Sequence, residues 1–369
     1  IAGIGPCIGK CCYEVDDPVI NGFKKLDYIN KLIDAKFLNK VNESDLEDGI
    51  YKGLLEGLND PYSVYYTAEE YQKMMEQTSG TYSGIGALVS QNAETGIITV
   101  VKAFADAPAA KAGVKNGDII YKVKGKEVTG VDINNVVTEM KGEKGTTVDI
   151  TVYRESEKKY IDFTITRDQV NEPTVEYKML DKKKKIGYIQ ISQFEEVTYD
   201  QFTKALDDLK KQGMKAVIFD VRSNPGGLYE TVCKMLDEIL PEGNLVSTKD
   251  KYGNEEKQTS DSKCLEMPMV VLQNKDSASA SEIFAGAIQD FNAGKIVGTQ
   301  SFGKGIVQTI LPLSDGSAVK LTVQDYYTPS GKNIHGKGIT PDVEAELEEN
   351  ATSDTQLEKA KETIMELMK

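Results

Sequence analysis

A chain of 369 residues, 40% hydrophobic and 28% charged, has the composition of a globular protein with a core and not of a disordered one; at roughly 150 residues per domain it divides into about two or three domains. The net charge of −14 repels phosphate backbones, so nucleic acid is not an expected partner. No run of about 18 apolar residues is present to span a membrane.

In chain order, Ile1 to Gly9 is apolar and glycine-rich. It reads as the trailing edge of a removed signal or membrane anchor, or equally as a truncation scar. Cys7, Cys11 and Cys12 could hold a metal only with a fourth ligand from elsewhere; with no second cluster or nearby histidine they read as packing thiols or part of a processed anchor segment. With Cys233 and Cys264 they make an odd count, which leaves one thiol unpaired within the chain. Residues 18–79 read as a helical region. Leu26, Ile29, Leu32 and Ile33 recur at helical spacing, as do Leu46, Ile50, Leu54 and Leu58. Ser44 with Glu47 makes a capping-box pattern for the second run, and Asp60-Pro61 ends it. A third helix is predicted over Ala68 to Met75.

Residues 80–170 read as one small β-rich module: short strands near 85–89, 97–101, 118–123 and 148–152, glycines between them, and two short helices near 108–112 and 132–140. Residues 171–184 are polar and end in a lysine run, which predicts a solvated turn. Beyond them strand and helix alternate, with strands at 186–191, 216–221, 269–272, 295–298, 306–313 and 319–327 and helices at 199–212, 228–240 and 282–290. That order predicts an α/β core over 171–345. A closing amphipathic helix is predicted at 356–368, within a last segment of 346–369.

Three segments of the α/β part could carry chemistry. Asp220 to Leu228 holds Asn224-Pro225-Gly226-Gly227 between a buried strand and a helix. Two glycines there allow a sharp turn with outward N–H groups that could hold an oxyanion, although a plain strand-to-helix turn needs the same residues. Ser277-Ala278-Ser279-Ala280-Ser281-Glu282 opens a helix. Ser279 and Ser281 could be caps, or one could be a nucleophile at a helix N-terminus. Ser301-Phe302-Gly303-Lys304-Gly305 places a lysine between two glycines ahead of an apolar strand. Glycines without side chains suit a place where substrate backbone passes close, and burial would favour the neutral lysine that can act as a base. The single histidine, His335, leaves a Ser-His-Asp arrangement no other imidazole.

Taken together the three segments resemble the C-terminal processing peptidases, tail-specific serine peptidases of family S41 with a Ser/Lys dyad. The motifs S-A-S-A-S-E, F-G-K-G-x-V-Q and D-x-R-x-N-P-G-G-L carry the resemblance. It extends through Tyr326 to Gly331, Gly336 to Asp342, Asp60 to Ser63 and Tyr82 to Gly86. It implies a crotonase- and Clp-protease-like α/β core with an inserted PDZ domain at 80–170 and N-terminal helices at 18–79, residues 1–17 being a tail or anchor remnant. It implies Ser279 as nucleophile, Lys304 as general base and Gln308 as the residue orienting that lysine. It also implies an oxyanion hole from Gly226 or Gly227 with Ala280, and a carboxylate-binding loop of Ser83, Gly84, Ile85, Gly86 and Ala87. No cofactor or metal is expected. The expected partners are proteins or peptides with free, apolar C-termini, a second copy in a homodimer, and a regulatory protein; the expected location is the bacterial cell envelope, secreted or membrane-anchored. Lys141 is expected to couple PDZ occupancy to Lys304 and Gln308. Two other readings compete: an inactive PDZ adaptor on the same fold, which would lack one of Ser279, Lys304 and Gln308, and a crotonase-like acyl-transfer enzyme, which would need carboxylates at the site and a nucleotide groove. A Ser-His-Asp esterase would have to use His335.

Overall fold

The computed structural model describes residues 18–347 and 353–369, so Cys7, Cys11 and Cys12 lie outside the described residues. The chain divides after Asp60 into two compact units. The first holds α1 (Pro18–Lys36) and α2 (Glu43–Glu56). The cap of α2 is Asn42 rather than Ser44: the Asn42 side chain accepts the Ser44 N–H at 3.2 Å, which puts Ser44 inside the first turn.

The second unit begins with β1 (Val64–Tyr66) and α3 (Ala68–Ser79). Thr67 and Glu70 close a capping box on α3, and Gly80, at φ 64°, ends it. Next come β2 (Thr81–Gly84), β3 (Ala87–Gln91), β4 (Ile98–Ala103), α4 (Pro108–Ala112), β5 (Ile119–Val123), β6 (Lys126–Glu127), α5 (Ile133–Met140), β7 (Thr147–Arg154), β8 (Lys159–Thr166) and β9 (Asp168–Asn171). Strands β3, β4, β5, β7 and β8 form one sheet in that order, with β3 at its edge, around Ile98, Val100, Ile120, Val136, Val148 and Val152. The first and last strands, β2 and β9, pair with each other and close the module at its root.

The remainder is built from β10 (Val175–Asp181), β11 (Ile186–Ile191), α6 (Thr198–Lys211), β12 (Ala216–Asp220), α7 (Tyr229–Asp237), β13 (Gly243–Asp250), β14 (Glu255–Ser260), β15 (Met269–Gln273), α8 (Ala280–Asp290), β16 (Gly294–Gly298), β17 (Ile306–Pro312), β18 (Ala318–Tyr327), β19 (Val343–Glu344) and α9 (Thr355–Leu367). A sheet ordered β10-β11-β12-β15-β16-β19 is parallel apart from β10. Its strands bury both faces, as a parallel sheet must. Val217, Phe219 and Val271 face α6, α7 and α8, whereas Ala216, Ile218, Val270 and Leu272 pack with Ala360 and Ile364 of α9. In a second sheet β18 pairs with β1, β13 and β17.

Half of the predicted turn at 171–184 is strand β10, and the turn itself is confined to the lysine run. Val175, Tyr177 and Met179 alternate toward the core, a period of two that the intervening glutamate and lysine obscure. The β13–β14 hairpin, β8 and the β2–β9 pair add strands that the sequence pattern did not predict.

Candidate active site

The glycine turn and the serine helix lie against each other. Asn224, fully buried, organises the contact: its amide donates to the Ile191 carbonyl at 2.9 Å and its Oδ1 accepts the Gly226 N–H at 2.8 Å. Its carbonyl accepts the Ala278 N–H and the Ser281 hydroxyl, at 3.0 and 2.9 Å. Gly226, at φ 105°, cannot carry a side chain, because a Cβ there would stand 2.8 Å from both the Ala278 carbonyl and the Ser279 Cβ.

The three serines of the motif are thereby separated. The Ser277 hydroxyl donates to the Val221 carbonyl at 2.7 Å, and Ser281 is committed to Asn224. Ser279 is half-buried and lines a cleft of roughly 1010 Å³. Its backbone is held at φ 54°, ψ −114°, where a residue with a Cβ is strained by about 1–3 kcal/mol. Two backbone donors open into the same cleft. The N–H groups of Gly227 and Ala280 have no acceptor among the described residues, and both residues line the cleft with Ser279. The Gly226 N–H is consumed by Asn224, so of the two glycines only Gly227 has a donor to offer.

Glu282 ties this helix to the lysine segment. Its carboxylate is fully buried and accepts four donors: the Ser279 N–H at 2.9 Å and the Lys304 N–H at 2.8 Å on one oxygen, the Gly303 N–H at 2.6 Å and the Ser301 hydroxyl at 2.5 Å on the other. The Tyr326 hydroxyl donates to the Ser279 carbonyl at 3.2 Å; burial first, and the Glu282 charge second, push that phenol far above its ordinary range. Replacing Glu282 with glutamine turns one acceptor oxygen into a donor facing donors. The expected cost is about 3 kcal/mol, two charge-assisted hydrogen bonds at about 1.5–3 kcal/mol each less what relaxation recovers. Denaturant unfolding of Glu282→Gln measures it, and a midpoint equal to the parent's would refute the ionic anchor.

Gln308 lines the cleft, aimed by a register shift between Val307 and Gln308 in the β17–β18 pair. Its amide nitrogen is buried and meets no hydrogen-bond partner among the described residues. Lys304 is not one of the cleft-lining residues: its Nζ lies 4.5 Å from the centre of the Tyr62 ring. The glycines on either side of it have a different reason from the one the sequence suggested. A Cβ on Gly303 would meet the Lys337 N–H nitrogen at 2.9 Å, and one on Gly305 the His335 nitrogen at 2.5 Å. The chain's own 335–338 segment passes there, not a substrate. His335 itself is exposed.

In the inserted module the N–H groups of Ile85 and Gly86 have no acceptor among the described residues, and Gly86 turns at φ 75°. Lys141 lies 3.9 Å from Glu76 of α3 and over the Tyr82 ring at 4.9 Å, and these, rather than Lys304 or Gln308, are its partners among the described residues. Among the described residues no group of three or more His, Cys, Asp or Glu side chains is placed to hold a metal, and no helix is long and apolar enough to cross a membrane.

Residues 185–345 match Peptidase family S41, residues 83–165 the PDZ domain, and residues 13–70 the N-terminal domain described for the activating protease CtpB. The carboxy-terminal-processing protease of Bartonella bacilliformis is 38% identical over 337 residues, covering 88% of this chain and 76% of that protein. The chain belongs to the S41 peptidase family. A probable CtpA-like serine protease of Staphylococcus epidermidis is 38% identical over 324 residues, but this chain spans only 65% of its length. The solved structure of the photosystem II D1 C-terminal processing protease superposes with a TM-score of 0.52 at 28% identity, covering 94% of this chain and 92% of that one. The mixed α/β architecture is accordingly an S41 peptidase core with an inserted PDZ domain, β2 and β9 closing the insertion.

Proposed function

We propose that the protein is a serine endopeptidase that cleaves proteins or peptides near their C-termini through a Ser279/Lys304 dyad. The observation that carries this reading is the cleft in which Ser279, strained and set apart from its two neighbouring serines, faces the unused N–H groups of Gly227 and Ala280. On this reading the Lys304 amine takes the Ser279 proton as Oγ attacks the scissile carbonyl carbon. The new oxyanion lies between the Gly227 and Ala280 N–H groups, which are already oriented and need no reorganisation. The lysine ammonium then protonates the leaving amine, and water attacks the acyl-enzyme by the same route in reverse. Gln308, with a buried amide nitrogen seeking a partner, holds the lysine in line. The Lys304 Nζ lies 4.5 Å from the centre of the Tyr62 ring, and the neutral form of its amine is the one that serves as base.

The PDZ domain reads the substrate's end. The edge strand β3 offers a peptide a place as an added strand, and the N–H groups of Ile85 and Gly86, in the loop Ser83 to Ala87, are free to hold its terminal carboxylate. Amidating an otherwise identical peptide removes that charge and should raise Kd for the domain about tenfold or more, with slower cleavage by the full chain. Fluorescence-polarisation titration and peptide cleavage check this, and equal binding of acid and amide would refute it. The exposed apolar residues Phe23, Leu38 and Leu54 of the N-terminal helical unit and its linker support pairing with a second copy, which sedimentation of the full chain measures. An extracytoplasmic location is part of the same reading and is checked by cell fractionation.

A further inference from the structure

One buried carboxylate of the cleft has no task in the dyad chemistry. Glu195 directly follows Phe194, whose N–H and carbonyl are laddered to the Gly226 carbonyl at 3.0 Å and the Leu228 N–H at 2.6 Å. The turn that carries Gly227 is therefore its immediate neighbour. Its own backbone is fixed as well, the N–H donating to the Thr198 hydroxyl at 2.9 Å and the carbonyl accepting that of Thr231 at 3.2 Å. The residue lines the cleft with Ser279, yet it is only 5% exposed. Oε2 is sealed from solvent and accepts no hydrogen bond from any described residue.

The surroundings make room for this carboxyl without neutralising it. A Cβ at Gly80 would stand 2.3 Å from Oε2, so the glycine that ends α3 leaves the space the carboxyl occupies. The charge that acts on Glu195 is another carboxylate, Glu172, whose N–H is bonded to the Gly80 carbonyl. Burial first, and Glu172 second, push the Glu195 carboxyl up to about 7. The cleft's remaining charged lining is mixed: Glu196, Asp200 and Glu230 against Lys234 and Lys320. Lys320 stands over the Tyr66 ring, and neither lysine forms an ion pair with Glu195 among the described residues. A buried carboxylate without a donor or a counter-ion is costly, and a cation brought by a ligand removes that cost.

We propose that Glu195 is a specificity-determining residue of the peptidase, its carboxylate receiving a lysine or arginine side chain from the substrate segment that lies in the cleft beside the scissile bond. The proposal rests on the peptidase reading above. Because Glu195 follows Phe194, whose backbone is laddered to the oxyanion turn, the basic residue falls within about three residues of the cleaved bond, roughly 10 Å of extended chain. A lysine there is held by charge and hydrogen bonds in the same dry pocket, whereas a glutamine or norleucine leaves the carboxylate unpaired.

The test uses the full chain and free-acid peptides of one sequence in which a single lysine, or norleucine in its place, is walked across the positions flanking the cleaved bond. At pH 8 one position should favour lysine about tenfold in kcat/KM, chiefly through KM. In Glu195→Gln the ratio at that position should fall to about one, and Glu195→Asp should keep part of it. A ratio near one at every position in the parent overturns the proposal, as does a ratio that Glu195→Gln leaves unchanged. Should Glu195→Gln fold poorly, the parent alone decides. Below the carboxyl's titration near 7 the group is neutral, so the lysine preference should shrink between pH 8 and pH 6. A preference constant over that window also overturns the proposal. Failure to cleave any peptide of the set, norleucine versions included, would instead count against the peptidase reading itself.

Discussion

On the proposed reading, Ser279→Ala should lower kcat on any cleaved peptide by about 10⁴-fold or more, because the acyl-enzyme forms on its Oγ. Ser277 and Ser281 cannot substitute, since their hydroxyls are spent on the Val221 and Asn224 carbonyls and Ser281 is fully buried. The fold should survive the change. Glu282 still accepts the backbone N–H of residue 279, and loss of a capping hydroxyl costs about 1 kcal/mol. A second variant separates strain from chemistry. At φ 54°, ψ −114°, Ser279→Gly removes the Cβ that makes this backbone unfavourable. It should be as inactive as Ser279→Ala and yet unfold at a higher temperature than the parent, by about 1 kcal/mol of recovered strain. Peptide turnover and calorimetry on the three proteins read both effects. Measurable turnover in Ser279→Ala would remove the nucleophile assignment, and a Ser279→Gly variant less stable than Ser279→Ala would remove the strain argument.

The sequence exposed the parts of this site that depend on local backbone chemistry. Paired glycines after a buried strand, a serine at a helix start and a lysine ahead of a strand each leave a short-range mark, and their order in the chain points to the family. What stayed hidden depends on partners distant in sequence. Glu282 looks like the third residue of a capping box, which it is; that its other oxygen also gathers Ser301 and Gly303 follows only once α8 meets the segment before β17. Gly303 and Gly305 were legible as places of close approach, but the approaching backbone is the chain's own 335–338 loop. Whether Gly226 or Gly227 offers its N–H turns on where the Asn224 side chain points, which no spacing encodes. Glu195 is one acidic residue in an acidic protein until Gly80, Val197 and Phe194 close around it. The strand β10 was concealed because three inward residues sit among charges in a segment whose neighbours are lysines.

Lys304 yields the second large effect. A base must be neutral to accept the Ser279 proton, so Lys304→Met, which keeps the length of the side chain and loses the amine, should lower kcat by about 10⁴-fold, as should Lys304→Arg, whose guanidinium stays charged. Both changes leave in place the bond from the backbone N–H of residue 304 to Glu282. The position over Tyr62 adds a direction to the pH dependence. An aromatic face attracts the ammonium and not the neutral amine, by about 0.5–2 kcal/mol. On the proposed reading the ring favours the ammonium, which cannot act as base, and the rate should rise with pH. Removing the face in Tyr62→Leu withdraws that support from the charged form. The rising limb of the rate profile should then move to lower pH by up to about one unit, since 1.36 kcal/mol corresponds to one unit. Turnover at neutral pH should increase a few-fold, whereas Tyr62→Phe, which keeps the ring, should leave the limb near its original place. A rate profile flat from pH 6 to pH 9 in the parent would argue against a lysine base, and a Tyr62→Leu profile that coincides with the parent's would show that the ring does not restrain it.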